Sequence, residues 1–414
     1  SKKNKPYTAI TRLASDTSAG TGFEDFFQAL GECRNTIAGR ISESENNPVP
    51  SLCAEIADFD VETYLETPKT YLDRSAEFMF AAMSLAIEDG GLEPEYEDFS
   101  NYGITLGSAF GSLETMSLVF RDLVEKGPKF VKPFLFPHTY SNTPISLLSI
   151  EYSIKGPHLN FSSGFTSSAS AIIAGHDLIS QGKTKLVFAG GYESLSEPLY
   201  RILRRSNLLS PLDGGEEKCA PLDASRNGIV AGEGAGIIIL ENLDHALRRE
   251  ANIYGIICGS GISASVRDNN SGCTDAIAEA MRIATEETEN TGRVPDCIYA
   301  AANGSIETDR SEADAIRLVL AEHKDTVPVT AVKSMLGEML GASAVIQIMA
   351  AIGAIETGLV PYTLNLDRQD EDAKLNAVAD GPMKVDVNTA LVNCIDPGGT
   401  AVSLLIQSHN SACR

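Results

Sequence analysis

The sequence lacks any excess of positive charge. Lys and Arg together number 33 and Asp and Glu number 56 in 414 residues, so the formal net charge is −23. A surface that binds nucleic acid or anionic lipid needs clustered Lys and Arg, so neither partner is expected. The hydrophobic content of 43% and the charged content of 21% are ordinary for a large globular core, which excludes disorder over the whole chain.

Cysteine pairs are missing as well. No two of the eight cysteines form a CxxC pair, and no Cys/His cluster has the spacing of zinc ligands. We therefore expect no metal site, and no cofactor is expected either. Reduced thiols scattered through a long chain indicate the cytoplasm. The cysteines are Cys33, Cys53, Cys219, Cys258, Cys273, Cys297, Cys394 and Cys413.

Long apolar segments are scarce too. Residues 1–15 carry charge but no apolar run, so we expect no signal peptide there. The most apolar stretch, Met339 to Ile355, is interrupted by Gln347 and followed by Glu356. It falls short of the ~18 apolar residues of a membrane span and favours a buried core helix. No membrane partner is therefore expected.

Strand-like and helix-like segments alternate through the chain. Apolar or β-branched runs of strand length lie at 102–106, 185–189, 236–240, 252–258, 297–301 and 389–392. Amphipathic stretches of helical length lie at 75–89, 170–181 and 312–322. This alternation predicts an α/β fold, and the nearly continuous apolar character of the strands predicts helices on both sheet faces. Loops are predicted at 41–50, 208–228 and 367–381, with the first and last exposed.

Two segments share the pattern of a small-residue turn that leads into an apolar helix. They are SSGFTSSASAII at 162–173 and KSMLGEMLGASAVIQIM at 333–349. The recurrence predicts two duplicated halves that meet near residues 241–251. We place the halves at residues 1–245 and 246–414.

The first of these turns has the layout of a nucleophile elbow. Small residues at 162–164 and 166–169 surround the bulky Phe165, and an apolar helix follows at once. Small neighbours permit a sharp strand-to-helix turn, and a helix N-terminus stabilises negative charge. A working elbow places Cys or Ser at the apex, whereas this apex is Phe165. The alternative is an ordinary strand–helix junction with a core phenylalanine.

Three further segments each place polar residues and a glycine turn at the end of a strand. They are AANGSIETD at 301–309, followed by Glu312, then VKSMLGEMLGA at 332–342 and NCIDPGGT at 393–400. Active sites of layered α/β proteins lie at such strand ends. These segments and the elbow together form the candidate site.

With these segments, the chain resembles the β-ketoacyl synthases of the thiolase superfamily over nearly its whole length. Further landmarks in matching order are KGP at 155–157, AGG at 189–191, PLD at 221–223, RNG at 226–228 and GEGAG at 232–236. The resemblance implies a thiolase-like fold, in which two duplicated αβαβα halves form a five-layered core. It also implies an intimate dimer.

The resemblance marks three positions at which the catalytic groups of the family are replaced. The nucleophilic Cys falls on Phe165, the first catalytic His falls on Asn303, and the second falls on Glu338. The Lys and the acidic residue of the same motifs are retained as Lys333 and Asp309. All three chemical groups are therefore absent while the residues around them persist.

These replacements remove the groups that a condensation needs. Condensation requires a thiolate to hold the acyl chain, and phenylalanine cannot form a thioester. Decarboxylation of a malonyl unit requires donors toward the developing enolate oxygen, which imidazoles supply in the family. Asn303 could donate one hydrogen bond, whereas an ionised Glu338 would add negative charge where negative charge develops. We expect Glu338 to form a structural ion pair with Lys333, so no catalytic residue and no independent activity is predicted.

The gating loop of the family is changed too. Its GFGG-type segment reads Asp396, Pro397, Gly398 and Gly399 here. The neighbouring Cys394 is similar to the second catalytic cysteine of thiolases, but without a nucleophile at the elbow we interpret it as a structural thiol. The six histidines all fall outside the matched catalytic positions, so none of them replaces a missing imidazole.

A synthase-like chain without the Cys and both His resembles the chain length factor, or ketosynthase β subunit, of type II polyketide synthases. The resemblance implies a heterodimer with an active ketosynthase α subunit, and a polyketide tunnel along the interface whose wall limits chain length. Members of that group usually carry Gln at the elbow, and Phe165 departs from this pattern. By position, the expected tunnel residues are Thr115, Leu118, Asp122, Leu135 and Phe136. For the apolar ones, the alternative is a place in the ordinary core.

The negative charge also bears on the acyl carrier protein, which is acidic in the family. A chain of net charge −23 is a poor docking surface for it, so the carrier is expected to dock mainly through the active partner. Two alternatives to a silent, length-setting subunit stay open. One is a stand-alone homodimeric enzyme, either a decarboxylase of malonyl-carrier protein or an acyltransferase, that uses Asn303 and other groups. The other is an acyl-binding scaffold of the same fold.

Overall fold

The structure is a computed structural model that describes most of the chain. The described residues are 7–41, 51–65, 67–92, 98–265, 273–286, 294–371 and 374–409. Residues 1–6 of the charged N-terminus, positions 42–50 of the predicted loop at 41–50, and Cys413 lie outside them.

Strands and helices alternate along the described residues. The strands are β1 (Thr8–Thr17), β2 (Gly20–Thr21), β3 (Gly39–Ile41), β4 (Ser51–Ala54), β5 (Gly103–Gly107), β6 (His158–Phe161), β7 (Leu186–Glu193), β8 (Ala231–Gly232), β9 (Gly234–Asn242), β10 (Gly255–Ala264), β11 (Cys297–Tyr299), β12 (Val329–Thr330), β13 (Leu359–Val360), β14 (Met383–Lys384), β15 (Thr389–Ile395) and β16 (Thr400–Gln407). The helices are α1 (Phe23–Gly31), α2 (Arg74–Asp89), α3 (Leu113–Lys126), α4 (Thr143–Glu151), α5 (Ser167–Ser180), α6 (Glu197–Arg205), α7 (Leu243–Arg248), α8 (Thr274–Glu286), α9 (Ile306–Leu320), α10 (Lys333–Leu336) and α11 (Ser343–Thr357). Turns of 3₁₀ helix lie at Val61–Tyr64, Phe99–Asn101, Pro128–Phe130, Pro133–Thr139, Gly164–Thr166, Ala321–His323 and Leu340–Ala342.

The strand pairings reveal the internal duplication. In the first half the sheet order is β1-β9-β7-β5-β6, with two antiparallel pairings followed by two parallel ones. In the second half the order is β10-β16-β15-β11-β12, with the same succession of pairings. β1 and β10 pair antiparallel, with Thr8 opposite Ile257, so the two halves share one continuous sheet. This pairing joins the two halves directly. The boundary between the halves at residue 245 stays a prediction.

Helices form three layers around the two halves of the sheet. α2 packs on β1 and β9 at one outer face, and α8 packs on β10 and β16 at the other. α5 and α11 lie between them, contact each other, and pack on β5, β7 and β15. The result is the five-layered αβαβα arrangement of a thiolase-like fold.

The central helix α11 accounts for the most apolar segment of the sequence. Every residue in its first three turns is buried, and Gln347 is accommodated because its amide donates to two backbone carbonyls. The window Leu340–Thr357 has the length and hydropathy of a membrane span, but 83% of it is buried inside the molecule. The prediction of a core helix is therefore confirmed. The helix ends where Gly358 adopts the left-handed conformation, with φ 69°.

Three segments differ from the expectations drawn from the sequence. No strand is predicted at residues 8–17, yet β1 lies in the middle of the sheet, and nearly all of its side chains are buried on both faces. Ile41, the first residue of the predicted loop at 41–50, ends β3. The segment 367–381 is a loop in its described part, but Leu375 and Val378 are buried because they pack into two hydrophobic cores.

Candidate functional site

The elbow connects β6 to α5 through the 3₁₀ turn at Gly164–Thr166. Gly164 has φ 63°, a left-handed conformation that favours glycine. Hydroxyl groups hold the turn. The Ser167 hydroxyl donates to the carbonyl of Gly164 at 2.6 Å, and the Thr166 hydroxyl donates to the carbonyl of Ser163 at 2.8 Å. The small residues therefore build the sharp strand-to-helix turn that the sequence predicts.

The apex side chain of this turn is a core residue. Phe165 is only 6% exposed, and it belongs to a hydrophobic cluster with Leu199, Leu209, Ile229 and Leu340. Burying a phenylalanine ring stabilises a fold by up to roughly 3 kcal/mol. A benzyl group offers no nucleophile, so the turn has the shape of an elbow without its chemistry.

A buried network of hydrogen bonds joins Asn303, Lys333 and Glu338. The Lys333 ammonium lies 2.8 Å from one carboxylate oxygen of Glu338, and the Asn303 amide donates to the same oxygen at 2.7 Å. The other oxygen accepts from the Leu340 N–H at 2.9 Å and from the Ser343 hydroxyl. All three residues are buried, and each is at most 4% exposed. The ion pair predicted from the sequence is confirmed, and both oxygens of its carboxylate are occupied.

This network lies next to the elbow, because Leu340 takes part in both. Its N–H binds Glu338, and its side chain packs in the cluster that contains Phe165. The structure thus brings Phe165, Asn303 and Glu338 into one neighbourhood. In this network both oxygens of Glu338 accept hydrogen bonds from the protein, and neither is left over for a bound ligand.

Asp309 holds the loop that carries Asn303. Its carboxylate accepts hydrogen bonds from the N–H groups of Leu222, Asn303 and Gly304 at 2.9–3.0 Å. Burial raises the pKa of Asp309, and the backbone N–H groups oppose that rise. Asp309 therefore positions the end of the strand that carries Asn303.

Glu312 makes the stability of this region depend on pH. Its carboxyl group is fully buried and accepts from the Ala301 N–H and the Asn393 amide, and burial raises its pKa from 4.5 to about 7. Between these two values the unfolded chain is ionised while the folded chain holds the proton, so stability falls as the pH rises through that window.

We expect Glu312→Gln to remove the contribution of Glu312 to this loss of stability, because glutamine does not ionise. The free energy of unfolding should then rise by roughly 1–3 kcal/mol relative to the natural chain at about pH 8, and change little at about pH 4. Chemical denaturation at the two pH values measures the effect, with the exposed Glu322→Gln as the matched control. The same pH dependence in all three proteins would contradict the expectation.

The turn at 396–399 contacts the elbow directly. The Phe165 N–H donates to one carboxylate oxygen of Asp396 at 3.0 Å, and the Gly398 N–H donates to the other at 2.7 Å. A Cβ atom at Gly164 would lie 1.9 Å from the first oxygen. The segment Asp396, Pro397, Gly398 and Gly399 is the turn between β15 and β16, and its role in gating stays a prediction.

Sequence analysis overlooked Glu193, the last residue of β7. Its buried carboxylate accepts from the Ala109 N–H at 2.8 Å and from the Gly341 N–H at 3.2 Å. It therefore ties the segment after β5 to the turn before α11, and burial raises its pKa to about 7. The feature of the sequence that could have indicated Glu193 is an acidic residue at the end of an otherwise uncharged strand.

The buried thiols near the site are not activated. Burial raises the pKa of Cys394 and of Cys219 to about 12, so both stay protonated near neutral pH. No disulfide joins the cysteines of the described residues. These observations agree with the interpretation of Cys394 as a structural thiol.

The expected tunnel residues lie on α3 and on the 3₁₀ turn at Pro133–Thr139. Thr115 and Leu135 are buried, and Leu118 and Phe136 are exposed. Asp122 is partly exposed and forms an ion pair within α3. Their role in a tunnel wall stays a prediction.

Comparison with known proteins identifies relatives over the whole chain. Residues 8–246 match the family described as "Beta-ketoacyl synthase, N-terminal domain", and residues 254–367 match "Beta-ketoacyl synthase, C-terminal domain". The 3-oxoacyl-[acyl-carrier-protein] synthase 2 of Synechocystis sp. is 30% identical, and the alignment covers 98% of this chain and 99% of that protein.

Solved structures share the fold. The ishigamide ketosynthase/chain length factor has a TM-score of 0.89 at 24% identity, with 98% of this chain and 100% of that chain covered. A ketosynthase in complex with its chain length factor from Xenorhabdus doucetiae has a TM-score of 0.81 at 17% identity, with 99% of each chain covered. These likenesses confirm the predicted thiolase-like fold.

Proposed function

The chain belongs to the β-ketoacyl synthase family, and we propose that it is a catalytically silent member of that family. In this proposal it is the chain length factor of a type II polyketide synthase. It pairs with an active ketosynthase and shapes the tunnel that sets the length of the polyketide chain.

The chemistry at the three matched positions carries the proposal. Phe165 cannot form a thioester, so the chain cannot hold an acyl group at the elbow. The Glu338 carboxylate accepts four hydrogen bonds from the protein and donates none. Losing one preorganised donor to a developing oxyanion costs about a hundred- to a thousandfold in rate. A buried ion pair at this place therefore supports a structural role for the former catalytic centre.

An exposed apolar surface, called the apolar face here, supports a protein partner. It comprises side chains of α3, of the 3₁₀ turns that follow it and of α4, elements that contact one another. Its members are Leu118, Phe120, Leu123, Val124, Phe130, Phe134, Phe136, Tyr140 and Ile150. Exposed apolar patches on soluble proteins mark interaction sites when they are large, and in our proposal a second protein covers this one.

An open sheet edge lies beside the apolar face. β6 ends the sheet and, within the described residues, pairs only with β5. His158 and Leu159 on this strand are exposed, and the His158 ring lies 3.5 Å from the Ser149 hydroxyl of α4. Edge strands pair readily with a strand of another chain. A ketosynthase of the same fold could add its equivalent strand here and cover the apolar face.

The proposal assigns further roles to the surface of the chain. Thr115, Leu118, Asp122, Leu135 and Phe136 would contribute to the tunnel wall, because they lie on the elements that form the apolar face. The net charge of −23 favours docking of an acidic acyl carrier protein mainly through the ketosynthase. We place the assembly in the cytoplasm, where thiols stay reduced.

Co-expression with a ketosynthase from the same gene cluster, followed by native mass spectrometry, tests the proposal. We expect a one-to-one complex, and no decarboxylation when the isolated chain is incubated with malonyl-carrier protein. Turnover by the isolated chain would contradict the proposal and indicate the decarboxylase. A homodimer that excludes the ketosynthase would also contradict it and indicate the acyl-binding scaffold. Carrier cross-links that map mainly to this chain would contradict the docking assignment.

A further inference from the structure

We propose that Asp396 is an internal plug: its carboxylate accepts the hydrogen bond of the Phe165 N–H at the elbow. The chain would then exclude an acyl oxygen from that N–H, in addition to lacking the nucleophile. The inference concerns the elbow alone and does not depend on the identity of the partner. It predicts that restoring a thiol at position 165 is not sufficient to restore acyl transfer.

The backbone N–H of a nucleophilic residue serves as an oxyanion donor in acyl-transfer enzymes such as the serine proteases. Attack on a thioester places negative charge on the carbonyl oxygen, and preorganised backbone N–H groups stabilise that charge from about 2.7–3.1 Å. In this chain the Phe165 N–H donates to the Asp396 carboxylate at 3.0 Å. A carboxylate oxygen therefore takes the place that the oxyanion would need.

The plug fits tightly against the backbone of the turn. Because a Cβ atom at Gly164 would lie 1.9 Å from the same carboxylate oxygen, glycine is required for its approach. The Gly398 N–H holds the other oxygen at 2.7 Å. The Asp396 N–H donates to the carbonyl of Thr400 at 2.8 Å, and the Asp396 carbonyl accepts from the Gly399 N–H at 2.9 Å.

These bonds hold the plug within the turn between β15 and β16. Asp396 directly follows β15, and Thr400 begins β16, both of which are almost entirely buried. An incoming carbonyl oxygen would have to displace a negatively charged group that is held in the turn between these strands. It would also meet the charge of that group, which repels a developing oxyanion.

Three variants test the plug: Phe165→Cys, Phe165→Cys/Asp396→Gly and Phe165→Cys/Asp396→Asn. Each is incubated with hexanoyl-N-acetylcysteamine and followed by intact-protein mass spectrometry. In this reaction the introduced thiolate attacks the thioester carbon, the new carbon–sulfur bond replaces the old one, and N-acetylcysteamine leaves and takes up a proton. Iodoacetamide alkylation of the same variants reports thiolate content and access without forming an oxyanion.

The ratio of the acylation rate to the alkylation rate isolates the oxyanion site. We expect Phe165→Cys/Asp396→Gly to raise this ratio at least about tenfold over Phe165→Cys, because the glycine frees the N–H. The asparagine variant should stay close to Phe165→Cys, since its amide oxygen still occupies the N–H. An unchanged ratio in the glycine variant, or equal ratios in the glycine and asparagine variants, would overturn the proposal.

Hydrogen exchange supplies a readout that does not require the introduced thiol. In the otherwise natural chain, Asp396→Gly should accelerate amide exchange in the peptide that spans 163–168, because the Phe165 N–H loses its acceptor. Asp396→Asn should largely preserve the protection. Exchange in that peptide that is unaffected by Asp396→Gly would also overturn the proposal.

Discussion

Lys333→Met is expected to lower the free energy of unfolding by about 3–5 kcal/mol, because it leaves the Glu338 carboxylate buried without its counter-ion. Glu338 is 1% exposed and lies 2.8 Å from the Lys333 ammonium. The same ammonium donates to the carbonyl of Ala301 at 3.0 Å, so the substitution also removes a donor from a second buried acceptor. Urea denaturation followed by far-ultraviolet circular dichroism measures the loss.

Two matched variants separate the buried charge from the deleted side chain. Lys126→Met removes an exposed ammonium that is paired with Asp122 on α3, so it should leave stability nearly unchanged. Lys333→Met/Glu338→Gln removes both charges while the glutamine oxygen still accepts, so this double variant should be more stable than Lys333→Met. Equal small losses in Lys333→Met and Lys126→Met would show that the buried pair has no special role.

Charges placed on the apolar face are expected to abolish the complex with the ketosynthase. Val124 and Ile150 are 81% and 75% exposed in the isolated chain, and the proposed partner covers both. Val124→Asp/Ile150→Asp would bury two carboxylates without counter-ions, so we expect the dissociation constant to rise at least about a hundredfold. Sedimentation of the variant mixed with the ketosynthase measures the change.

The matched control places the same charges outside the apolar face. Leu247 on α7 and Leu318 on α9 are 51% and 53% exposed, so Leu247→Asp/Leu318→Asp tests the effect of added charge alone. Both double variants should fold as the natural chain does, because the substituted side chains are largely exposed. Binding that is equally strong, or equally weak, in the two variants would exclude the apolar face as the specific interface.

Much of the fold could be predicted because its signals are local. Apolar strand patterns and amphipathic helix patterns extend over five to fifteen neighbouring residues, and they predicted strands such as β5 and β7 and helices such as α2 and α5. The two small-residue turns predicted the duplication that the strand pairings display. Lys333 and Glu338 are five residues apart in the sequence, so their pairing also needed only short-range geometry.

Other features depend on contacts between distant segments. β1 carries no strong strand signal of its own, and its central place follows from pairing with β9 and β10. Glu193 bonds across 148 residues to Gly341. The chain topology decides which strand ends meet, and no local pattern records that decision.

By itself, the sequence determined which functional groups stand at the three matched positions, because a benzyl, an amide and a carboxylate side chain keep their chemistry in any fold. Only the tertiary structure decided what fills the elbow's N–H site, since Asp396 reaches Phe165 across 231 residues. The physical reason is that reactivity belongs to a single residue. Proximity, in contrast, is set by the sheet that joins the two halves and by the helices packed between them.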